Sequence, residues 1–232
     1  MSSARRSSSV CPAVRAAGSL TRDAAKYEVR RLAPIAVWNL KTHALVTYPD
    51  KWKSFNDFLD EAKKKPVSIA VVGGSSTFQG YLMESALGIK VNWVPYGDSG
   101  EAMAAVAGKH ADALLTFTLS PIPMMHAGKL RALTVFSSAP DPISPEIPNF
   151  KELGHPEVPL VIVYGVMMAP PNTPKEATSV LENAVKDATA NPEFRKMAET
   201  IGMTVDFRPA SELQKLVSAE YEITTKYKQF LK

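Results

Sequence analysis

From residue 33 onward the chain alternates short apolar runs with stretches of helical character, and this alternation constrains the fold more than any other feature. Runs rich in β-branched and aromatic residues predict strands, and the stretches between them have the spacing and caps of helices. Strands that alternate with helices indicate an α/β protein with a mostly parallel sheet. We expect one parallel-rich sheet, flanked by helices, that contains these strands: 67–72, 91–95, 112–117 and 131–136.

Local signals refine this outline. The stretch "SFNDFLDEAKKK" (54–65) predicts an amphipathic helix with Ser54 as its N-cap and lysines at its end. "HALVTY" (43–48) predicts a further strand, and the continuously apolar "VPLVIVYGVMMAP" (158–170) predicts a buried one. The proline-rich "SSAPDPISPEIP" (137–148) predicts a long, stiff surface connection.

Polar turns follow three of the predicted strands at their carboxyl ends, within "VVGGSST", "PYGDSG" and "LLTFTLSP". Ligands of open α/β sheets bind at this position. A helix that begins there exposes unpaired N–H groups and a positive end, which suit an anion or an acceptor oxygen. The candidate residues for binding a small polar or anionic ligand are Gly73, Gly74, Ser75, Ser76, Thr77, Tyr96, Gly97, Asp98, Ser99, Gly100, Thr116 and Thr118.

The turn after Tyr96 also has a simpler interpretation, in which Asp98 or Ser99 only caps the following helix. In that case Asp98 accepts the N–H groups that a ligand would otherwise use. We expect a site built this way to be self-satisfied and a poor receptor for a carboxylate.

The composition excludes several functional classes. The formal net charge is only +4, with many of the arginines near the N-terminus, so no nucleic-acid partner is expected. The histidines have no metal-ligand spacing and are expected at the surface: His43, His110, His126 and His155. No metal, no cofactor and no internal disulfide are expected, since the fingerprints of nucleotide sites are absent and Cys11 is the single cysteine.

The N-terminal segment "MSSARRSSSVCPAVRAAGSLTR" is rich in arginine and serine and has no acidic residue before Asp23. That composition is typical of an organellar transit peptide more than of a secretory signal. An irregular start without any targeting function explains it equally well. Residues 1–32 are therefore set apart from the folded part of the chain.

Five segments, in this order along the chain, resemble those of one known family. They are "APIAVW" before "HALVTYPDKWKSFNDFLDEAKKKP", "VNWVPYGDSGEAMAAVAGKHADALL", "AGKLRALTVFSSAPDPISPEIPNFKELG" and "YGVMMAPPNTPKEATSVLENAV". The succession resembles that of the substrate-binding proteins of tripartite tricarboxylate transporters, the Bug or TctC family. Tyr164, which opens the last segment, joins the candidate ligand-binding residues.

The resemblance implies an extracytoplasmic, periplasmic receptor with the fold of type II periplasmic binding proteins. In that fold two α/β lobes close on a small carboxylate, and membrane transporter subunits are the partners. Nothing before Ala33 resembles the strands that begin the first lobe of the family. The implied arrangement is a truncated first lobe, 33–48 with 161–232, and a second lobe, 49–160.

Three functions remain open at this point. The first is a non-enzymatic solute-binding protein for a small organic acid, in a degenerate form because Gly97 replaces the usual lysine of the family and Asp98 adds negative charge. The second is a partial receptor fold that forms a homodimer, or binds another protein, through the edge beside 33–38 and 161–168. The third is an enzyme that uses the same cleft, for which no nucleophile–base pair is visible.

Overall fold

The computed structural model describes residues 29–200 and 203–226. The chain divides into two compact units, which are described separately: Lys41–Ile162, and Met1–Leu40 together with Val163–Lys232. We call them the second and the first unit, in line with the lobes of the family. The interpretation of 1–32 as an irregular or targeting segment lies outside the described residues, apart from the 3-10 helix Val29–Arg31 and Leu32.

The second unit contains a five-stranded sheet of order β4-β3-β5-β2-β6. β3 runs parallel to β4 and β5, while β2 lies antiparallel between β5 and β6. The expected parallel-rich sheet of four strands is therefore confirmed, with one antiparallel strand inserted. Its elements are β2 His43–Thr47, α1 Phe55–Lys64, β3 Val67–Val71, α2 Gly73–Leu87, β4 Val91–Pro95, α3 Ser99–Ala107, β5 Ala113–Phe117, α4 Ile122–His126 and β6 Arg131–Phe136.

Helices cover both faces of this sheet, because successive strand residues point to opposite sides and both sets are apolar. Leu115 packs on one face with Phe58 of α1 and Met83 of α2. Its neighbour Leu114 packs on the other face with Val106 of α3. The result is a three-layer α/β unit with two hydrophobic cores.

Local sequence explains where α1 begins and how closely α2 packs. Ser54 and Asp57 form a capping box at the start of α1, as the sequence predicts for Ser54. In α2, a Cβ added at Gly80 would overlap the ring of Trp93, so glycine permits the close approach of α2 to β4. The Trp93 indole donates to Glu84 at 2.8 Å, which fixes the ring in that position.

The first unit is smaller in its described part. Its sheet has the order β7-β1-β8, with β1 antiparallel to β8 and an irregularity between Val37 and Asn39. Its core includes Ile35, Ala169 and Val185. Its elements are β1 Ala33–Lys41, β7 Val163–Ala169, α5 Lys175–Ala190, α6 Pro192–Thr200, β8 Thr204–Pro209 and α7 Ala210–Lys226.

The structure corrects two assignments around the first unit. The family resemblance places all of 33–48 in the first lobe, but His43–Thr47 is hydrogen-bonded to β5 and β6 and so belongs to the second unit. The expected open edge beside 33–38 is wrong, because β1 is the central strand with β7 and β8 on its two sides. In the part of the chain that the structure describes, the outer edge of β7 has no strand beside it.

Two expectations about exposure are also wrong. His43 is fully buried, because β2 is covered on both faces and the imidazole stacks on Phe117 with 4.9 Å between ring centroids. The proline-rich connection 137–148 is not wholly at the surface, since Asp141 and Ser144 are buried. Among the helices of residues 29–200 and 203–226, none has the length and apolar character to cross a membrane.

Candidate functional site

The three predicted turns lie along one edge of the sheet of the second unit. β3, β4 and β5 are parallel, so their carboxyl ends reach the same edge. The first residue of β2, His43, pairs with both Phe117 and Phe136, which brings the start of β2 and the end of β6 there as well. We call this the ligand edge. Segments that are far apart in the sequence meet at this edge. Thr42 and Asp141, for example, are 99 residues apart in the sequence.

The turn at Gly73 is the beginning of α2 rather than a separate loop. Gly73 has φ of +73°, a backbone conformation that favours glycine, and Gly73 and Gly74 are exposed. The N-cap of this helix is Val72, whose apolar side chain supplies no capping oxygen. The Thr77 hydroxyl donates to the Gly73 carbonyl at 3.0 Å. The backbone N–H groups at the start of α2 therefore receive no hydrogen bond from the side chain of the N-cap residue.

Ser75 and Ser76, the other candidates in this turn, are buried. Their side chains lie on the inner side of the first helical turn, which leaves Gly73 and Gly74 as the exposed part. Ligand binding by any of these residues stays a prediction.

The turn after Tyr96 has the opposite character. Asp98 is the N-cap of α3, and its Oδ1 accepts from the N–H groups of Gly100 at 2.7 Å and Glu101 at 3.0 Å. The capping role considered from the sequence is thus confirmed for Asp98, while Ser99 is the first residue of the helix. Tyr96 donates its own N–H to Val71 at 3.0 Å, and Gly97 is exposed. The positive end of α3 is already occupied by a carboxylate of the chain itself.

The third turn belongs to a buried chain of hydroxyl groups. Thr118 and Thr42 place their hydroxyl oxygens 2.8 Å apart, and the Thr42 hydroxyl donates to Asp141. Because Thr42 gives its proton to Asp141, Thr118 is the donor to Thr42. Asp141 also accepts from the N–H groups of Ile143 at 2.9 Å and Ser144 at 3.2 Å. This chain of hydrogen bonds ties β2, β5 and the proline-rich connection together.

Thr116 differs from Thr118 in position. It lies inside β5, opposite Ala44 of β2, and is buried. The sequence groups Thr116 with the polar turn that follows the strand, but the residue lies within the strand. Thr116 thus lies within the sheet, not in the turn at the ligand edge.

Two side chains near the ligand edge, Gln79 and His43, are polar and buried, which the sequence does not predict. The Gln79 amide donates to Pro159 at 2.8 Å and accepts from the Val161 N–H at 2.6 Å. His43 Nδ1 lies 3.2 Å from the Val161 carbonyl oxygen, while its Nε2 is buried without a partner among the described residues. Burial lowers the pKa of His43 to about 4, although the hydrogen bond to Val161 opposes this shift, so the imidazole is neutral near pH 7. Both side chains hold the segment that ends the second unit.

Tyr164, the remaining candidate, belongs to the first unit. It lies on β7 and is buried, and the Arg208 guanidinium is 5.2 Å from the centre of its ring. Arg208 also donates to Asp206 at 2.8 Å. The side chain of Tyr164 therefore packs against a cation of its own unit.

The groups gathered at the ligand edge suit hydrogen bonding to a polar ligand. They are backbone N–H groups, hydroxyls, and carboxylates that already have donors. Within residues 29–200 and 203–226, no three side chains of histidine, cysteine, aspartate or glutamate form a group that could hold a metal ion.

Sequence comparisons connect this architecture to known proteins. Residues 16–229 match the family described as tripartite tricarboxylate transporter family receptor. The chain is 27% identical over 177 residues to a UPF0065 protein of Agrobacterium vitis. The aligned region covers 73% of this chain and 51% of that protein. It is 27% identical over 162 residues to the protein BugT of Bordetella pertussis, with 68% of this chain and 49% of that protein covered. The chain thus spans about half the length of the curated relatives it matches.

Solved structures show the same fold. A TctC solute-binding protein from Polaromonas superposes with a TM-score of 0.79 at 20% identity, over 95% of this chain and 74% of that one. MatC from Rhodopseudomonas palustris, solved with bound malate, gives a TM-score of 0.75 at 20% identity, over 95% and 77%. The fold is that of periplasmic solute-binding proteins, and the chain belongs to the tripartite tricarboxylate transporter family of receptors, the Bug or TctC family.

Proposed function

We propose that this chain is a non-enzymatic receptor that binds a small organic acid at the ligand edge of its second unit. The observation that carries the proposal is the uncapped start of α2, where Gly73 and Gly74 are exposed. Free N–H groups and the positive end of a helix dipole favour a carboxylate at that place. Membership of a receptor family supports the same conclusion, as does the malate bound to MatC.

The contrast between α2 and α3 narrows the binding position. α2 begins with two glycines and no capping side chain, whereas Asp98 occupies the start of α3. A ligand carboxylate at α3 would meet the negative charge of Asp98 and find two of the N–H groups already bonded. The carboxylate therefore binds at α2. α3 forms part of the wall of the site, but its helix dipole does not bind the carboxylate.

The partners and the compartment follow from the family. Membrane subunits of a tripartite tricarboxylate-type transporter receive the ligand, and the receptor works outside the cytoplasm, in the periplasm. The comparisons lend no support to an organellar location, the alternative suggested by the N-terminal composition.

A pair of opposite cap substitutions tests this proposal. Val72→Asp gives α2 the carboxylate cap that α3 has, and should weaken binding of malate at least tenfold, because it competes for the same donors. Asp98→Gly opens the start of α3 and should strengthen carboxylate binding at least tenfold, since two charge-assisted hydrogen bonds are worth about 1.5–3 kcal/mol each. Asp98→Asn, which keeps a capping oxygen, should help less.

The measurement is calorimetry with a panel of mono-, di- and tricarboxylates, preceded by a thermal-shift screen. A carboxylate at about 100 times its dissociation constant should add about 2.7 kcal/mol to the free energy of unfolding. Val72→Ala is the matched control for lost packing at the cap position. Equal affinities in Val72→Asp and Val72→Ala would show that α2 does not hold the carboxylate.

A further inference from the structure

A cavity of about 680 Å³ lies at the edge of the second unit that is opposite the ligand edge. Its position follows from the sheet register, because Tyr48 follows Thr47, which pairs with the first residue of β5, Ala113. The cavity also borders the C-terminal end of α3, the helix whose first turn is capped by Asp98. With nine residues, α3 separates the two places by about 13 Å. The cavity is therefore independent of the ligand edge.

The walls of the cavity are partly apolar and open to solvent. They include the methyl groups of Ala104 and Ala107 on α3, the side chain of Met124 on α4 and the ring of Tyr48. Ala104 is exposed to solvent and lines the cavity, whose volume is large enough for a small molecule. Cavities of about 300–1,000 Å³ are typical of small-molecule sites in proteins.

The rim carries a net positive charge from two lysines and one carboxylate. Lys109 reaches Asp50 at 3.3 Å, and its ammonium lies 5.3 Å from the centre of the Tyr48 ring. This ion pair is exposed, and such pairs contribute little, so an incoming anion can replace Asp50 at low cost. Lys129 also lines the cavity and forms no ion pair within the described residues.

A neighbouring lysine outside the cavity lining shows how such a charge is compensated elsewhere in the unit. Lys51, which follows Asp50, is held at 3.0 Å by Glu61 and at 3.0 Å by Asp112. Its charge is compensated by two carboxylates of the same unit. The cavity has one carboxylate for two ammonium groups, so it retains one positive charge for a ligand.

The backbone of Lys109 is strained in a way that helps to place its side chain. Its φ is +62°, a left-handed conformation that glycine and asparagine adopt more readily than lysine. Lys109 directly follows Gly108, the C-cap of α3, and so occupies the left-handed position after a helix where glycine is the common choice. Lysine here costs stability and places an ammonium group above Tyr48, a combination expected where strain accompanies a function.

We propose that this cavity is a second binding site, for a small organic monoanion with an apolar, ring-sized body. The anionic group pairs with Lys129 and Lys109, and the apolar body lies on Ala104, Ala107, Met124 and the Tyr48 ring. The site differs from the ligand edge in its chemistry, since ammonium groups and an aromatic ring replace backbone N–H groups.

The test uses 2-naphthoate and its neutral analogue 2-naphthamide as probes of the full-length protein. Two-dimensional NMR should show 2-naphthoate shifting the amide signals of cavity-lining residues such as Ala107, Lys109 and Lys129, and not those of Gly73 and Gly74. The dissociation constant expected for a ligand of this size is about 1 mM. The amide should bind at least tenfold more weakly, because it lacks the charge.

Two substitutions separate a binding site from an ordinary helix end. Ala104→Leu fills the cavity from an exposed position and should weaken 2-naphthoate binding at least tenfold. Lys109→Gly should weaken binding at least fivefold while the thermal midpoint rises, because glycine relieves the left-handed strain. Lys90→Gln, a change at an exposed lysine outside the cavity lining, is the matched control and should leave binding unchanged.

Three results would overturn the proposal. One is the lack of any signal shift around the cavity at about 5 mM 2-naphthoate, several times the expected dissociation constant. Another is equal binding of the acid and the amide. The third is unchanged affinity in both Ala104→Leu and Lys109→Gly, which would reduce Lys109 to a cation that stabilises the C-terminal end of α3.

Discussion

Within the part of the chain that the structure describes, the two units differ in how completely their hydrophobic surfaces are covered. In the second unit, apolar residues on both faces of a five-stranded sheet are buried by helices. In the first unit, the described core cluster is small and centres on Ile35, Ala169 and Val185. Of the large hydrophobic side chains that the structure shows exposed in residues 29–200 and 203–226, Leu119 lies in the second unit and the others in the first: Met167, Val180, Leu181 and Met197.

This difference indicates that the two units contribute unequally to stability. Buried apolar area is the main favourable term in folding, and among the described residues more apolar side chains are buried in the second unit than in the first. A chain of this kind need not unfold in a single step, so each unit requires its own reporter. Trp52 and Trp93 lie in the second unit, and Trp38 lies in the first, so that fluorescence of single-tryptophan variants can follow the units separately.

The largest expected effect is a core truncation in the second unit. Phe55 is 1% exposed and packs edge-on against Phe150, with 5.2 Å between ring centroids. Phe55→Ala should lower the free energy of unfolding of this unit by about 3–5 kcal/mol, because it removes a ring and leaves a cavity. Val185→Ala, a smaller truncation in the core of the first unit, should cost about 1–2 kcal/mol, since it removes two methylene equivalents at about 0.8 kcal/mol each.

Urea unfolding followed at Trp52 and at Trp38 measures both changes. A Phe55→Ala cost no larger than that of Val185→Ala would remove the basis for the comparison between the units.

The next effect is a dependence of the second unit on acid, which arises from His43. Burial lowers the pKa of this imidazole to about 4, below its ordinary value of 6.5. The unfolded state therefore binds the extra proton first, and stability is lost as the pH falls from about 6.5 towards 4. Between pH 7 and pH 5 the loss should be about 2 kcal/mol. His43→Gln should lose much less in that interval.

Glu61 does not disturb this measurement. Burial would raise its pKa, but hydrogen bonds from Lys51, Trp52 and Lys65 hold it below the ordinary value. The contribution of Glu61 to the free energy of unfolding is therefore lost only at pH values below the interval from pH 7 to pH 5. Parallel losses in the wild type and in His43→Gln between pH 7 and pH 5 would show that another group causes the acid sensitivity.

The sequence predicted the parts of this architecture that depend on local patterns. The strand–helix alternation, the Ser54 cap and the Asp98 cap each rest on residues a few positions apart, and all three are present. The same holds for the polar turns at the carboxyl ends of β3 and β4. Resemblance to a family is then the basis of the proposed function, which local patterns leave open.

The parts that could not be predicted depend on contacts between distant segments. Nothing within 43–48 indicates that this strand inserts antiparallel between β5 and β6. The burial of Asp141 likewise depends on Thr42, 99 residues away, whereas the surrounding prolines are typical of a surface connection. His43 belongs to the same class, because its burial follows from the position of β2 in the sheet. A polar residue in a strand of otherwise apolar residues was the signal that could have identified it.

A smaller effect of opposite sign is expected in the first unit. Burial raises the pKa of Glu220, on α7, to about 7 from its ordinary value of 4.5. The stability linked to its proton is complete below about pH 4.5 and is lost as the pH rises through 7. Glu220→Gln should therefore stabilise the first unit at pH 7 by about 1 kcal/mol, after allowance for screening of a half-buried group, and by less at pH 5.

Unfolding of Glu220→Gln at the two pH values, followed at Trp38, checks this prediction. The two units would then respond to acid in opposite directions. A gain at pH 5 as large as that at pH 7 would show that Glu220 is ionised in the folded protein.

The smallest effect on stability, and the most informative one for assembly, concerns the exposed apolar side chains of the first unit. Val180 on α5 is 68% exposed and Met197 on α6 is 52% exposed. Exposed apolar surface favours association, and the expected homodimer would use this unit. The double substitution Val180→Glu and Met197→Glu should change the free energy of unfolding by about 0.5 kcal/mol or less, because neither side chain is buried. It should nevertheless abolish concentration-dependent self-association, measured by light scattering.

Leu119→Glu, at an exposed position of the second unit, is the matched control and should leave the apparent mass of the wild type unchanged. A wild type that stays monomeric at every concentration would show that the uncovered surface of the first unit does not lead to a dimer.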